Sequence, residues 1–409
     1  MIEILKKDGV RLRHLVAAGV TMTLLGCAST PPSTPPAPIE SVPFSEAVLK
    51  AANTVFANAP AKPASGPGAA QPLVIDPLID GLTGAESVAT QSMEGKIVDL
   101  VKTKYPKFAV KEFSASNVSK SPQVLIGTFT GVNGEGKTAG VRESFRICLA
   151  LLDLEAGKVV SKARVFAKPE GVDITPTPFF RDSPAWTPDP VTEAYIKTCQ
   201  ATKPGDPIFP VYLERIRAAA LLNEAITAYD NKQYRKAQGL YATALQTEGG
   251  NQLRAYNGLY LTSWKLGDRR QATDAFAKVV DHGLTNQRLG VKFLFRPGTT
   301  EFIGDRALAG QYDVWLAQIA QRTAQRDGCL EVEGHTSRTG PEPVNERLSL
   351  RRAEYVQRRL AADAPALGTR TVAAGRGSQE TLVGSGTDDL RDAIDRRVEF
   401  NVIKCATSS

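Results

Sequence analysis

The chain has 409 residues, a length that predicts roughly two to four domains, each large enough to bury its own core. Apolar residues make up 42% of the chain, and no apolar run reaches the roughly 18 residues that a transmembrane helix needs. The formal net charge of +7 suits an acidic partner. Because no basic patch is interleaved with aromatic residues, the sequence does not favour nucleic acid as that partner.

Residues 1–26 have the pattern of a signal peptide. Basic side chains precede the apolar stretch Leu15–Leu25, which is too short to span a membrane. The stretch ends in Leu-Leu-Gly before Cys27, a pattern that resembles the bacterial lipobox. The resemblance implies cleavage before Cys27 and its lipidation with palmitate. Since Ala28 follows instead of an aspartate, it also implies lipid anchoring at the outer membrane, facing the periplasm. The alternative is a plain signal peptide with an incidental cysteine.

A Pro-rich tether is predicted for residues 27–43, because this composition cannot bury a core. Residues 44–200 are predicted to form an α+β periplasmic domain. Its predicted helices cover Phe44–Ala59 and Ser87–Lys104. The predicted strands are LVIDPLID, FAVKEF and VLIGTF, followed by a hairpin of FRICLALLDL and GKVVSKARVF that turns at Glu155-Ala156-Gly157.

The segment Gly131–Thr138, GVNGEGKT, satisfies the nucleotide P-loop pattern and follows a predicted strand. A P-loop also needs a helix that begins at the lysine and points its N-terminus at the phosphates. Here only about nine residues separate the motif from the next apolar run, whereas a helical crossover needs a dozen or more. The sequence therefore favours a hairpin loop.

Residues 206–285 are predicted to be helical, with a helix over Val211–Ala220 preceding two repeats. The segments YRKAQGLYATAL and RRQATDAFAKVV recur with a period of 35 residues, and Gly267-Asp268 lies between helices. This pattern resembles the tetratricopeptide repeat, a module that binds peptides or proteins. The alternative is an unrelated array of helical hairpins. In either case the ends of two repeats need cover, from that preceding helix and from a neighbouring domain.

Residues 286–405 alternate between strand and helix patterns, which predicts a compact α/β sandwich with a mixed sheet and helices on one face. Arg352 falls in the middle of the apolar arc of a predicted helix over Val344–Ala362. A buried arginine needs an anionic partner or a route to solvent. The partner is either internal, with Glu333 or Asp395 as candidates, or the carboxylate of a ligand. The predicted elements are FLFRP, Asp305–Arg326, CLEVEG, Val344–Ala362, TRTVAAG and RRVEFNVIK.

The motifs GHTxxxG, NERLSLRRA and DRRVEF together resemble the C-terminal domain of OmpA, which Pal and MotB share. The resemblance implies non-covalent binding of peptidoglycan, with an arginine and an aspartate gripping the diaminopimelate of the stem peptide. Arg352 matches that arginine, Asn345 matches the motif asparagine, and Ser337 stands where the family has the aspartate. His335 and Thr336 belong to the same binding turn, and Asp395 replaces a usual asparagine.

The chain has five cysteines. With Cys27 assigned to the lipid, the other four permit three pairings in an oxidising compartment. We predict Cys148–Cys199 within the N-terminal region and Cys329–Cys405 within the last domain. The second pair meets if the strands that carry the two cysteines are antiparallel neighbours.

No enzymatic chemistry is recognisable. His282 and His335 lack a cluster of ligands at metal spacing, and no serine lies in a GxSxG elbow, so no metal, cofactor or catalytic residue is expected. The sequence predicts a lipoprotein that tethers the outer membrane to peptidoglycan and presents its repeats to a protein partner. The alternative is an assembly or regulatory factor for a wall enzyme or a secretion machine, in which wall binding only localises the protein.

Overall fold

The computed structural model of the chain describes residues 39–60, 70–303, 306–384, 386 and 391–405. The predicted signal peptide, most of the tether and Cys27 lie outside the described residues. Within these ranges, no helix has the length and apolar character to cross a bilayer.

A mixed sheet of seven strands organises the N-terminal region. The strand order is β1-β7-β6-β5-β2-β4, with β3 beside β5. The strands β5, β6 and β7 are antiparallel neighbours, whereas the four shorter strands each pair in parallel. In chain order they are β1 (Ser41–Val42), β2 (Gln71–Ile75), β3 (Ile79–Asp80), β4 (Phe108–Lys111), β5 (Gln123–Val132), β6 (Ser144–Asp153) and β7 (Lys158–Ala167).

Helices cover both faces of this sheet. Alternate residues of one strand face opposite sides, and Leu125 and Ile126 of β5 accordingly enter two separate cores. This double burial explains why β5 and β6 read as continuous apolar runs. The helices of this region are α1 (Phe44–Ala57), α2 (Val88–Lys104), α3 (Ala115–Val118), α4 (Pro178–Asp182) and α5 (Pro190–Ala201).

The helix ends follow local signals. Ser87 caps α2 in a reciprocal capping box with Thr90, which fixes the predicted start. Helix α1 ends at Ala57, two residues before the predicted end. The reason is Pro60, because a proline disfavours helical backbone in the residue before it.

The predicted hairpin is confirmed, since Asp153 of β6 pairs with Lys158 of β7 across the turn. Gly157 has a φ of 63°, which glycine adopts without strain. The strands β5 and β6 also form a hairpin, closed by the pair Val132 and Ser144. Gly131–Thr138 therefore runs from the end of β5 into a loop that no helix follows, so the hairpin reading of this motif is confirmed.

Four helices follow as an antiparallel array: α6 (Pro210–Asp230), α7 (Tyr234–Gln246), α8 (Leu253–Lys265) and α9 (Arg269–Thr285). Tyr241 and Phe276, which occupy equivalent positions in the sequence repeat, are both fully buried. Gly258 lies against the ring of Tyr241, where a Cβ atom would come within 2.3 Å. Helix α6 continues ten residues beyond the predicted Ala220, because apolar residues keep facing the core up to Tyr229.

The last domain has a mixed sheet in the order β10-β9-β11-β8. Only β10 and β9 are parallel, as the predicted mixed sheet requires. Helix α11 packs on β9 and β10, and α10 packs against α11 and α9. The elements are β8 (Arg288–Val291), α10 (Arg306–Ala324), β9 (Cys329–Gly334), α11 (Glu342–Asp363), β10 (Thr371–Gly375) and β11 (Val398–Ile403), with short 3-10 turns at Pro365–Gly368 and Arg391–Asp395.

The predicted first strand of this domain, FLFRP, is wrong. The edge strand is β8, which ends before Phe293, and Phe295 forms only an isolated bridge with Phe302. The two phenylalanines of this segment, Phe293 and Phe295, are fully buried. The apolar residues of an irregular buried segment therefore gave the same sequence pattern as a buried strand. Pro297, which has no backbone N–H to donate to a ladder, then begins an exposed turn.

The helical array and the last domain share one core. The ring of Trp315 on α10 stacks on Phe276 of α9 at 5.7 Å, and its Nε1 donates to the Tyr260 hydroxyl at 2.7 Å. Arg322 forms an ion pair with Asp281 at 2.6 Å across the same boundary. The last domain thus covers one end of the array, as the sequence predicted for a neighbouring domain.

Both predicted disulfides form. Cys148 on β6 joins Cys199 on α5 with a Cα separation of 6.2 Å. Cys329 joins Cys405 with a Cα separation of 5.0 Å. The second pair follows the predicted geometry, because β9 and β11 are antiparallel and Cys329 is opposite Ile403.

Candidate ligand-binding site

The candidate site lies where β9 and β10 end and α11 begins. A Cβ atom on Gly334 would approach the Ser349 carbonyl oxygen to 2.0 Å, and one on Gly375 would approach the Glu346 carbonyl oxygen to 2.7 Å. These two glycines therefore allow the first half of α11 to lie directly on the strand ends. The turn 335–340 connects β9 to α11 at this edge, which is a common position for ligand sites in sheets with parallel strands.

Backbone hydrogen bonds fix the turn. The His335 N–H donates to the Arg397 carbonyl at 3.0 Å, and the Thr336 N–H donates to the Gly377 carbonyl at 2.9 Å. The Ser337 hydroxyl lies 3.1 Å from that of Thr339. Each of the five predicted binding residues is at most 4% exposed: His335, Thr336, Ser337, Asn345 and Arg352. The His335 side chain lies with Glu333 and Glu399, not with Asn345 and Arg352 of α11.

Arg352 is buried beneath the turn that follows Phe295. Its Nε donates to the Thr299 carbonyl at 3.0 Å, and its Nη2 donates to the Arg296 carbonyl at 3.2 Å. The guanidinium also lies 4.8 Å from the centre of the Phe295 ring, a cation–π contact. Backbone carbonyls and an aromatic face thus contact the guanidinium within the apolar arc of α11.

The two acids considered as internal partners of Arg352 are engaged elsewhere. Glu333 pairs with Arg376 and accepts a hydrogen bond from Asn401 at 2.8 Å. Asp395 accepts three backbone N–H groups from residues 382–384, at 2.6 to 3.0 Å. Burial nevertheless raises the pKa of Asp395 above its ordinary value. The aspartate at this position therefore orders the loop beside the candidate site.

A buried charged cluster lies on the sheet face opposite α11. Ligand atoms of Glu333, His335 and Glu399 lie within 4.8 Å of one another, although sequence reasoning found no cluster at ligand spacing. Sequence reasoning missed it because Glu399 comes from the distant strand β11. The set does not fit a cation, since Arg397 donates to Glu399 at 2.5 Å and Arg288 lies 2.9 Å from it. Arg376 also pairs with Glu333, so three guanidinium groups already neutralise the two acids.

His335 lies in this cluster with its ring buried. Among the described residues, neither ring nitrogen has a hydrogen-bond partner. The Glu399 carboxylate lies 3.9 Å from Nε2. Burial, reinforced by the Arg397 guanidinium, lowers the pKa of His335 to about 3. The imidazole is therefore neutral at physiological pH.

The N-terminal region reaches this domain in two places that the sequence did not reveal. Arg142, in the loop between β5 and β6, donates to the Thr381 carbonyl at 2.9 Å, next to the loop that Asp395 orders. Ala185 forms an isolated bridge with Val291 of β8. The adjacent Trp186 ring lies 5.2 Å from the Arg397 guanidinium and 5.6 Å from that of Arg288, and so covers the charged cluster.

Residues 294–394 match the OmpA family. The C-terminal region is thus an OmpA-like domain. Outer membrane porin F of Pseudomonas fluorescens is 40% identical over 73 residues, which are 18% of this chain and 22% of the porin. The match therefore spans about a fifth of that relative.

Two solved structures are each similar to part of the chain. The cell wall anchor of the T6SS from Pseudomonas aeruginosa is 24% identical, with 29% of this chain and 80% of that chain covered and a TM-score of 0.24. The peptidoglycan-associated lipoprotein from Burkholderia pseudomallei is 22% identical, with 30% and 93% covered and a TM-score of 0.24.

Proposed function

We propose that this protein is an outer-membrane lipoprotein that holds peptidoglycan non-covalently through its OmpA-like domain, and that it is a binder with no enzymatic activity. The observation that carries the proposal is the match of residues 294–394 to the OmpA family. The motif residues Asn345 and Arg352 are both buried on α11, about two turns apart, which adds support. The motif at Cys27 supports the lipid anchor, and the similarity to a porin named for the outer membrane agrees with that location.

In the proposed complex, Arg352 pairs with the free carboxylate of a stem-peptide residue. The carbonyls of Arg296 and Thr299, which now accept from its guanidinium, belong to an exposed turn that contains Gly298 at a φ of 69°. A carboxylate is a stronger acceptor than a neutral carbonyl, because the hydrogen bond is then assisted by charge on both sides. Binding accordingly displaces this turn and exposes the guanidinium.

Asn345 and the turn 335–340 complete the proposed site. Asn345 contributes an amide whose only hydrogen bond among the described residues is a long one, 3.5 Å to the Gly340 carbonyl. His335 and Thr336 position the turn through their backbone groups. Ser337 offers a hydroxyl to the ligand's ammonium, where the family uses a carboxylate. We therefore expect weaker binding than in an aspartate-bearing relative, and tighter binding in Ser337→Asp.

A pull-down with purified sacculi tests this proposal. Arg352→Ala should weaken binding by about thirtyfold or more, the equivalent of about 2 kcal/mol. Arg351→Ala is the matched control, because its side chain lies on the exposed face of the same helix. Circular dichroism of both variants establishes that they are folded. The site assignment fails if folded Arg352→Ala binds like Arg351→Ala, and the function fails if the wild type is not retained by sacculi.

The second candidate function is an assembly or regulatory factor whose tetratricopeptide-like helices α6–α9 recruit a protein partner. The shared core favours this second function, because the array packs directly against the OmpA-like domain. Deleting the repeats would remove Phe276 and expose Trp315, which packs against it, so surface changes make a better test. Charge reversal at the exposed residues Arg235, Lys236 and Arg270 should abolish co-purification of a partner and leave sacculus binding intact. Unchanged co-purification would contradict a role for this surface.

A further inference from the structure

A polar cleft of about 560 Å³ lies between α2, β4 and α6. None of the residues that line it belongs to the proposed peptidoglycan-binding site. Its walls combine acidic and apolar groups, among them Glu86, Glu94, Val98, Val110 and Phe113. Lys102 and Lys111 also line the cleft. The lining therefore offers negative charge together with an apolar surface that suits an alkyl chain.

Glu86 is an acid of this cleft whose carboxyl group has no partner among the described residues. The residue is only 8% exposed, yet no hydrogen bond or ion pair joins its side chain to the described residues. It also lines a more apolar cavity of about 270 Å³. The acids that share that second cavity are engaged, because Asp80 and Asp189 both accept backbone N–H groups.

Within the part of the chain that the structure describes, no cation forms an ion pair with Glu86. Arg254 is the basic residue that most favours the ionised form of Glu86. Its Nη2, however, donates to the Gly84 carbonyl at 2.8 Å, and its guanidinium lies over the Phe180 ring. Glu94 and Asp76 add further acidic groups, and Asp76 accepts a hydrogen bond from the Tyr212 hydroxyl at 2.6 Å. Asp230 acts on Glu86 in the same direction as these acids.

Burial raises the pKa of all three carboxyls, to about 7 for Asp76, about 8 for Glu86 and about 7 for Glu94. The folded protein therefore keeps protons on these groups near neutral pH. A bound cation would favour the ionised forms and release protons as it binds. A compact metal ion fits poorly, because these acids are not among the described groups whose ligand atoms converge within 4.8 Å.

We propose that this cleft binds a primary alkylammonium group, with the ammonium at Glu86 and Glu94 and the alkyl chain along Val98, Val110 and Phe113. An ammonium supplies three donors and a full positive charge to carboxylates that have neither. The group belongs either to a free diamine or to a lysine side chain of a partner protein. This site is independent of the proposed wall binding, so a negative result for one proposal does not contradict the other.

Isothermal titration of the folded chain with cadaverine tests the proposal, with 1,5-pentanediol as the uncharged ligand. Cadaverine should bind, the diol should not, and about one proton should be released per ligand near pH 7, measured in two buffers of different ionisation enthalpy. Binding should tighten as the pH rises from 6 to 8.5. A short peptide with one internal lysine is the second arm: peptide binding without cadaverine binding identifies a protein lysine, and the reverse identifies a free amine.

Glu86→Gln and Glu94→Gln should each weaken binding at least tenfold, whereas Glu193→Gln, an exposed change on α5 outside the cleft, should have no effect. Thermal unfolding establishes that each variant is folded, and two cleft variants keep the test valid if one does not fold. Absence of binding by both amines overturns the proposal. Equal binding by the diol, or unchanged binding to folded Glu86→Gln, overturns it as well.

Discussion

His335 should make the folded protein sensitive to acid. Its ring is 1% exposed and its pKa is lowered from 6.5 to about 3, so the folded state cannot accept a proton that the unfolded chain takes up below pH 6.5. A lowered histidine pKa therefore contributes stability above pH 6.5 that is lost as the pH falls towards 3. At about 1.4 kcal/mol per pH unit, the full window corresponds to about 5 kcal/mol, and the part from pH 6.5 to 4 to about 3 kcal/mol.

The change His335→Gln removes this titration and keeps a polar side chain. Wild type and variant should be compared by urea unfolding at pH 7, 5.5 and 4. The free energy of unfolding of wild type should fall by about 3 kcal/mol more than that of the variant between pH 7 and 4. Carboxylates that lose ion pairs in acid affect both proteins equally, so the difference isolates His335.

A second measurement separates the pKa from other effects of the substitution. The imidazole resonances of His335 in the folded protein should not titrate between pH 7 and 4.5. Parallel loss of stability in both proteins, or an imidazole that titrates near its ordinary pKa, would refute the account of a neutral, buried His335.

Four further outcomes are expected. Arg352→Ala should lower the free energy of unfolding by about 3 kcal/mol or more, measured by urea, since two hydrogen bonds from a charged donor are lost. Cys27→Ser should release the protein from outer-membrane fractions or leave the precursor uncleaved, and normal retention would contradict lipidation. Replacing Cys329 and Cys405 by serine should cost about 2–4 kcal/mol, and an unchanged melting temperature would count against that bond. The pKa of Glu86 is raised to about 8, so this residue destabilises the fold as the pH rises from 4.5 to 8. Glu86→Gln should therefore be up to about 5 kcal/mol more stable than wild type at pH 9. Equal stability of the two proteins would show that the pKa of Glu86 is ordinary.

The sequence was most informative where local chemistry decides the structure. Alternation and turn residues identified β9 and the hairpin at Gly157, and the spacing after Gly131 argued against a nucleotide loop. The strand FLFRP failed because buried phenylalanines satisfy the same apolar pattern whether they lie in a ladder or in an irregular segment.

The chemistry of the site could be predicted only in part. The motif identified candidate residues, but the burial of Arg352 depends on the turn at Arg296 and Thr299, some 50 residues away in the chain. The lowered pKa of His335 depends first on its burial and then on Arg397, and the cover over the charged cluster comes from Trp186 in another region. Such contacts follow from tertiary packing and leave no periodic signal in the sequence.

The continuous core between the helical array and the OmpA-like domain also has a mechanical consequence. A force applied to the last domain passes into α8 and α9 through the contact of Trp315 with Phe276 and Tyr260, and through the Arg322–Asp281 ion pair. The Cys329–Cys405 bond prevents the end of β11 from being peeled away from β9 under such a load. A load on the OmpA-like domain would therefore reach helices α8 and α9 as strain in packed side chains.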